Sequence, residues 1–176
     1  FLNSIKIDKA YSSSLQRPKQ TAEKILESYT NIKIKLENQL IEIGHGLWEG
    51  KLEKEISEEW TELLQAWKNN PEAVKMPSGE SIKDVWKRSI KCWNEISKSI
   101  KSTETVLVVA HDAVNKTILC HLLGLEYSDI WKIKQGNGGI TVIDLHSDDE
   151  NSDIVTCLNL TSHLGGLLDQ STAGAL

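Results

Sequence analysis

The 176-residue sequence has one phenylalanine, one methionine, three prolines and three cysteines. It carries two arginines against eighteen lysines, and no apolar run longer than the five residues Val106 to Ala110. Each shortage excludes something. A membrane-crossing helix takes about 20 apolar residues, so no segment is expected to span a bilayer. No secretory signal is visible, although a longer gene product could carry one upstream. Cys92, Cys120 and Cys157 show no CxxC spacing and leave an odd thiol. That excludes a disulfide scaffold and a zinc site, and favours buried thiols in a reducing, cytoplasmic compartment. No His/Asp cluster has ligand spacing, so no metal is expected. The net charge of -5, with basic and acidic residues interleaved, argues against a nucleic-acid partner. What is present, 39% hydrophobic and 26% charged residues over this length, fits one globular domain with a sizeable core.

The chemistry-bearing stretch is Val106 to Gly124, VLVVAHDAVNKTILCHLLG. A continuous β-branched run is what a strand buried on both faces needs, which points to a parallel strand in an α/β sheet. Asp112 is a candidate N-cap, and Val114, Ile118, Leu119, Leu122 and Leu123 recur at helical spacing. His111 therefore falls at a strand's carboxyl end beside a helix N-terminus. Open α/β sheets bind ligands there, and backbone N–H groups favour an anion. Ala10 to Tyr29, AYSSSLQRPKQTAEKILESY, predicts a short strand, a serine run and a helix with Arg17 near its start. The planar fork of an arginine in that position suits phosphate. Gln39 to Gly50, QLIEIGHGLWEG, is a glycine-punctuated loop carrying Glu42, His45 and Glu49.

Elsewhere the pattern predicts strands at Lys9–Ser12 and Ile32–Leu36, and helices at Arg17–Tyr29, Ile56–Asn69 and Ile82–Ile100, the last capped by Ser81. Further strands are expected at Ile140–Leu145 and Ile154–Leu160, joined by the polar loop His146–Asp153. Trp60, Trp67, Trp86 and Trp93 lie on apolar helical stripes and are expected in the core; Trp48 is ambiguous. His121 is expected to be structural. His146 and His163 have no partner that the sequence names. The Gly/Ala/Ser-rich tail from Ser162 to Leu176 is expected to be mobile or a linker, leaving 1–161 as the domain.

Four segments in order resemble the histidine phosphatase superfamily, which includes the phosphoglycerate mutases. YSSSLQRPKQTA resembles its Ser-Ser-x-x-x-Arg-x-x-x-Thr-Ala stretch, and LIEIGHGLWEG its Glu-x-x-x-Gly-x-Trp-Glu-Gly loop. PSGESIKDVWKR (Pro77 to Arg88) resembles its Gly-Glu-Ser segment, and VVAHDAV its second histidine motif. The resemblance implies a three-layer α/β/α fold with a mostly parallel sheet, and metal-independent, cofactor-free chemistry on a small phosphorylated metabolite or inorganic phosphate. It implies that Arg17, His111 and Asp112 contact the phosphate, that His111 donates to a phosphoryl oxygen, and that Glu42, in preference to Glu49, is the acid for the leaving oxygen. The detail is similar to cyanobacterial and chloroplast 2-carboxyarabinitol 1-phosphatase-like members. The short stretch between Gly50 and Pro77 is closer to phosphatases than to mutases.

One departure outweighs the matches. The family opens with a strand ending in Arg-His-Gly, whose histidine is the nucleophile, and no Arg-His-Gly occurs here. The chain is therefore expected to lack the family's first strand, to be a fragment of a longer product beginning at Phe1, and to be inactive alone. In relatives that strand lies beside the one at Val106 to Ala110. Its loss leaves an open edge that either the Ile140–Leu145 strand or a second copy of the chain would close, and a homo-oligomer is the expectation favoured. A mutase, or a non-catalytic anion-binding module of the same fold, remains the alternative function.

Overall fold

A computed structural model describes residues 1–146 and 153–165. Three parallel strands, β1 (Lys9–Ser13), β2 (Ile34–Glu37) and β3 (Val106–Val109), form one sheet in the order β2-β1-β3. The register sets Ala10 against Ile34 and Leu107, and Ser12 against Leu36 and Val109. Because side chains alternate along a strand, this register sorts them into two layers. Ala10, Ile34 and Leu107 face a small core with Ile7, Ile25 and Leu26, completed by helix α1 (Gln16–Leu26). Tyr11, Val106 and Val108 face the larger core. That core is built from α2 (Glu53–Glu59), α3 (Thr61–Asn69), α4 (Ile82–Lys98) and α5 (Asp112–Leu122). The result is the expected three-layer α/β/α arrangement around a parallel sheet.

Most elements fall where the periodicity put them, with informative exceptions. The expected single helix over Ile56–Asn69 is two helices, broken at Trp60 (φ -135°, ψ 47°). The Thr61 hydroxyl bonds the Ser57 carbonyl, a side-chain bond that competes with the helical ladder. The apolar stripe survives the break: Ile56, Leu64 and Trp67 are buried, and Trp60 and Leu63 pack against them. Trp93 is buried, Trp86 packs against the core from its edge, and the ambiguous Trp48 is 2% exposed and belongs to the core. The N-cap of α5 is His111, not Asp112, which is already the first helical residue. His121 lies in the last turn of α5 and is exposed, with its ring edge-on to Trp86 at 5.8 Å. His163 stacks on Phe1 at 5.1 Å, a pairing across the whole sequence.

Beyond the sheet, β4 (Ile140–Asp144) and β5 (Ile154–Leu160) form the expected antiparallel pair. The His146 N–H, donated to the Asp153 carboxylate at 2.9 Å, draws the hairpin's ends together; the loop between lies outside the described residues. In the tail, Ser162–Leu164 form one 3-10 turn, and 166–176 lie outside the described residues. The β4 strand does not close the sheet: among the described residues β3 pairs only with β1, and β4 only with β5. Val106 to Ala110 are accordingly half-buried, although their sequence suits a strand covered on both sides. They line one side of a cleft of about 2170 Å³ whose other side includes Ile140 to Leu145. Among the described residues no helix is long and apolar enough to cross a membrane.

Candidate active site

The carboxyl ends of β1 and β3 lie side by side because the two strands are paired in parallel, and both feed directly into helices. The serine run at the end of β1 places Ser13, fully buried, against His111 at the end of β3: His111 Nε2 and Ser13 Oγ are 3.0 Å apart. Ser13 Oγ also accepts the Leu15 N–H at 3.2 Å, which fixes the turn into α1. That turn delivers Arg17, one residue into the helix, to the same cleft that His111 lines. Arg17 is exposed and reaches the site from the solvent side.

Glu42 comes from the loop after β2. Its Oε2 lies 4.0 Å from His111 Nδ1, and its carboxylate accepts the Ile43 N–H at 3.0 Å. Further backbone N–H groups, of Ala113 and Asp112 at the start of α5, also point at it. Burial raises the Glu42 pKa above the ordinary carboxyl range, the Asp112 charge adds to this, and the N–H groups offset part of it. His111 is 6% exposed. Burial, then the charges of Arg17 and Arg88, pull its pKa down to about 4. A neutral imidazole at pH 7 follows, so the 4.0 Å approach to Glu42 sets two polar groups facing each other and is not an ion pair.

The cleft thus brings together Arg17, Glu42 and His111, three residues that the sequence predicts. Asp112 lines it as well, but its carboxylate is held by Lys116 Nζ at 2.8 Å, and its backbone N–H is turned to Glu42. Glu49 is exposed and does not line the cleft. His45 does line it. Two groups were not legible as site residues. Ser13 has a signal only in hindsight, as the serine run at a strand end. Arg88 sits 46 residues from Glu42 in sequence, yet donates to the Glu42 carbonyl at 3.1 Å. The thiols stay outside: Cys92 and Cys120 are buried, with pKa values pushed up to about 11 by burial, and all three cysteines are unpaired. Among the described residues no group of three His, Cys, Asp or Glu side chains could hold a metal ion.

A cation, a neutral buried imidazole, a carboxyl held toward its protonated form and a helix N-terminus at one sheet edge are suited to a phosphoryl group and a proton transfer. Comparison with known proteins points the same way. Residues 1–157 match the model of the histidine phosphatase superfamily (branch 1). Phosphoserine phosphatase 1 of Hydrogenobacter thermophilus is 34% identical over 159 residues, covering 90% of this chain and 73% of that protein. The 2-carboxy-D-arabinitol-1-phosphatase of Triticum aestivum is 30% identical over 152 residues, or 86% of this chain; the chain spans only 30% of that protein's length. Among solved structures, Bacillus stearothermophilus YhfR superposes with a TM-score of 0.80 at 25% identity, over 88% of this chain and 75% of that one.

Proposed function

Because the chain belongs to the histidine phosphatase superfamily, we propose that it is the body of a phosphomonoesterase that works through a phosphohistidine intermediate. The observation that carries the proposal is the convergence of Arg17, Glu42 and His111 on one cleft at the sheet's carboxyl edge. In this reading Arg17 clamps the phosphate, and His111 donates its one imidazole proton to a phosphoryl oxygen. A nucleophilic histidine attacks phosphorus as the ester oxygen leaves with the proton of Glu42. Water then attacks the phosphohistidine, returns a proton to Glu42 and frees inorganic phosphate. The raised pKa of Glu42 suits the first half of that cycle.

The sequence holds no Arg-His-Gly, and His111 is committed to Ser13 and the phosphoryl group. The nucleophile is proposed to arrive on a further strand seated between β3 and β4, both of which have an edge facing the cleft that is unpaired among the described residues. The substrate class is a small phosphorylated hydroxy, amino or sugar acid, as the names of the relatives suggest. Hydrolysis is favoured over the mutase reaction by the short segment from Gly50 to Pro77. The three unpaired thiols suit a reducing cytoplasm.

A paired assay tests this. The 176-residue chain and a version preceded by a strand ending in Arg-His-Gly are compared on p-nitrophenyl phosphate in EDTA. The extended chain is expected to turn over and the given chain to fall short by on the order of 10⁴-fold or more. Turnover by the given chain that survives EDTA and is lost in His111→Ala would show that the nucleophile is misassigned.

A further inference from the structure

Arg88 is the second of the chain's two arginines, and its surroundings exceed what a helix-surface cation needs. Its Nε donates to Glu80 Oε1 at 2.8 Å, and its Nη2 to Glu80 Oε2 at 2.9 Å, a side-on bidentate pair. Nη1 donates to the carbonyls of Gln39 at 2.8 Å and Ile41 at 2.7 Å, and Nη2 to that of Glu42 at 3.1 Å. All five guanidinium N–H groups are therefore used, four residues of one loop-and-helix corner being tied to a single planar fork. Glu80 extends the grip: its Oε2 accepts the Gly44 N–H at 2.9 Å, while its own N–H donates to the Gly44 carbonyl at 2.8 Å. Burial would raise the Glu80 pKa, but Arg88 and the Gly44 N–H bring it below the ordinary range, so the pair stays charged.

The effect is to hold backbone on both sides of Glu42. Carbonyls 39, 41 and 42 are fixed from one side and the amide of 44 from the other, so the Glu42 side chain is aimed at the start of α5. The loop has no regular structure of its own between the 3-10 turns at Asn38–Leu40 and Gly46–Trp48, and nothing in its local sequence dictates that aim. We propose that Arg88 and Glu80 are positioning residues: together they set the Glu42 carboxyl beside His111 and keep it out of water. This rests on the reading of Glu42 as the site's acid, but its test needs no turnover.

The test follows the Glu42 carboxyl by carbon NMR in the full chain, with Glu42→Gln identifying its signal. The groups around that carboxyl are His111 and Asp112 on α5, His45 in its own loop, Arg17 on α1, and Arg88 and Glu80 behind it. Arg88→Lys keeps the charge but offers three donors from a point in place of the fork. The expected result is a Glu42 titration midpoint that falls toward the ordinary carboxyl value as the carboxyl loses its burial, with the amide signals of β1 and β3 unmoved. Because the charge is kept, a purely Coulombic role would leave the midpoint unmoved, or raise it if the ammonium sits farther off, so the sign separates positioning from Coulombic influence. A midpoint unchanged in Arg88→Lys, or raised, would overturn the proposal. If Arg88→Lys does not fold, the wild-type chain decides by hydrogen exchange. The amides of Gly44 and Glu80 are expected to exchange as slowly as those inside α4, and exchange at open-loop rates would overturn the proposal.

Discussion

His111 is the buried imidazole of the proposed site, and its burial has a measurable consequence. Its pKa is about 4 in the folded chain against 6.5 for an ordinary histidine. The folded state thus binds fewer protons than the unfolded state between those values, and stability is lost as pH falls from 6.5 toward 4. From pH 7 to pH 5 the loss assignable to this one group is about 2 kcal/mol. Glu42, raised, acts oppositely and loses stability as pH rises through its range, so the comparison must be with a variant. Urea unfolding of His111→Gln at the two pH values is expected to lack that increment; an equal acid loss in both proteins would show that His111 is not held neutral. At this scale the sequence was informative where residue type and position carried the signal: a histidine after five apolar residues, an arginine where lysine is the rule, a glutamate in a glycine-rich loop. It placed Ser13 and Arg88 inside matching segments but gave neither a role, because their roles depend on contacts across 98 and 46 residues that no local pattern encodes.

At the scale of elements, the Gln39–Gly50 loop and the segment before α4 are fitted to each other at their glycines. A Cβ on Gly79 would lie 2.3 Å from the Gly44 carbonyl oxygen, and one on Gly46, whose φ is +57°, would lie 2.1 Å from that of Pro77. Both obstacles are backbone and cannot swing away. Gly79→Ala is expected to cost on the order of 2–4 kcal/mol in denaturant unfolding, and Gly50→Ala, with nothing within 4 Å of its Cβ but a φ of +76°, less. Equal costs would mean that the two loops are not in register as described. The N-terminus of α4 offers a milder probe. Ser81 accepts the Asp84 N–H while the Asp84 side chain accepts the Ser81 N–H, so Ser81→Ala is expected to cost about 1 kcal/mol. Such caps were readable in sequence, as was the stripe of α4. The break at Trp60 was not, since a one-residue interruption leaves the apolar periodicity intact. The capping position at His111 was misjudged because aspartate is the commoner cap, whereas here the helix starts one residue earlier and Asp112 pairs with Lys116.

At the scale of the molecule, the parallel strand followed from its β-branched run and the three layers from the family resemblance. The open β3 edge followed from the missing Arg-His-Gly strand; that β4 pairs with β5 and not with β3 is a long-range choice that left two outcomes open in sequence. The open β3 edge predicts concentration-dependent association, since unpaired backbone groups in a strand of that composition seek a partner. Light scattering above the monomer mass at high concentration is expected, and a constant monomer mass across the range would count against it. Arg17, Glu42 and His111 are proposed to form one phosphoryl pocket. The ring nitrogens of His111, followed by NMR through a phosphate titration at low salt, report on it most directly. A saturable shift at millimolar phosphate, abolished by Arg17→Ala, is the predicted result. A His111 signal indifferent to phosphate, or a shift that Arg17→Ala leaves unchanged, would contradict it.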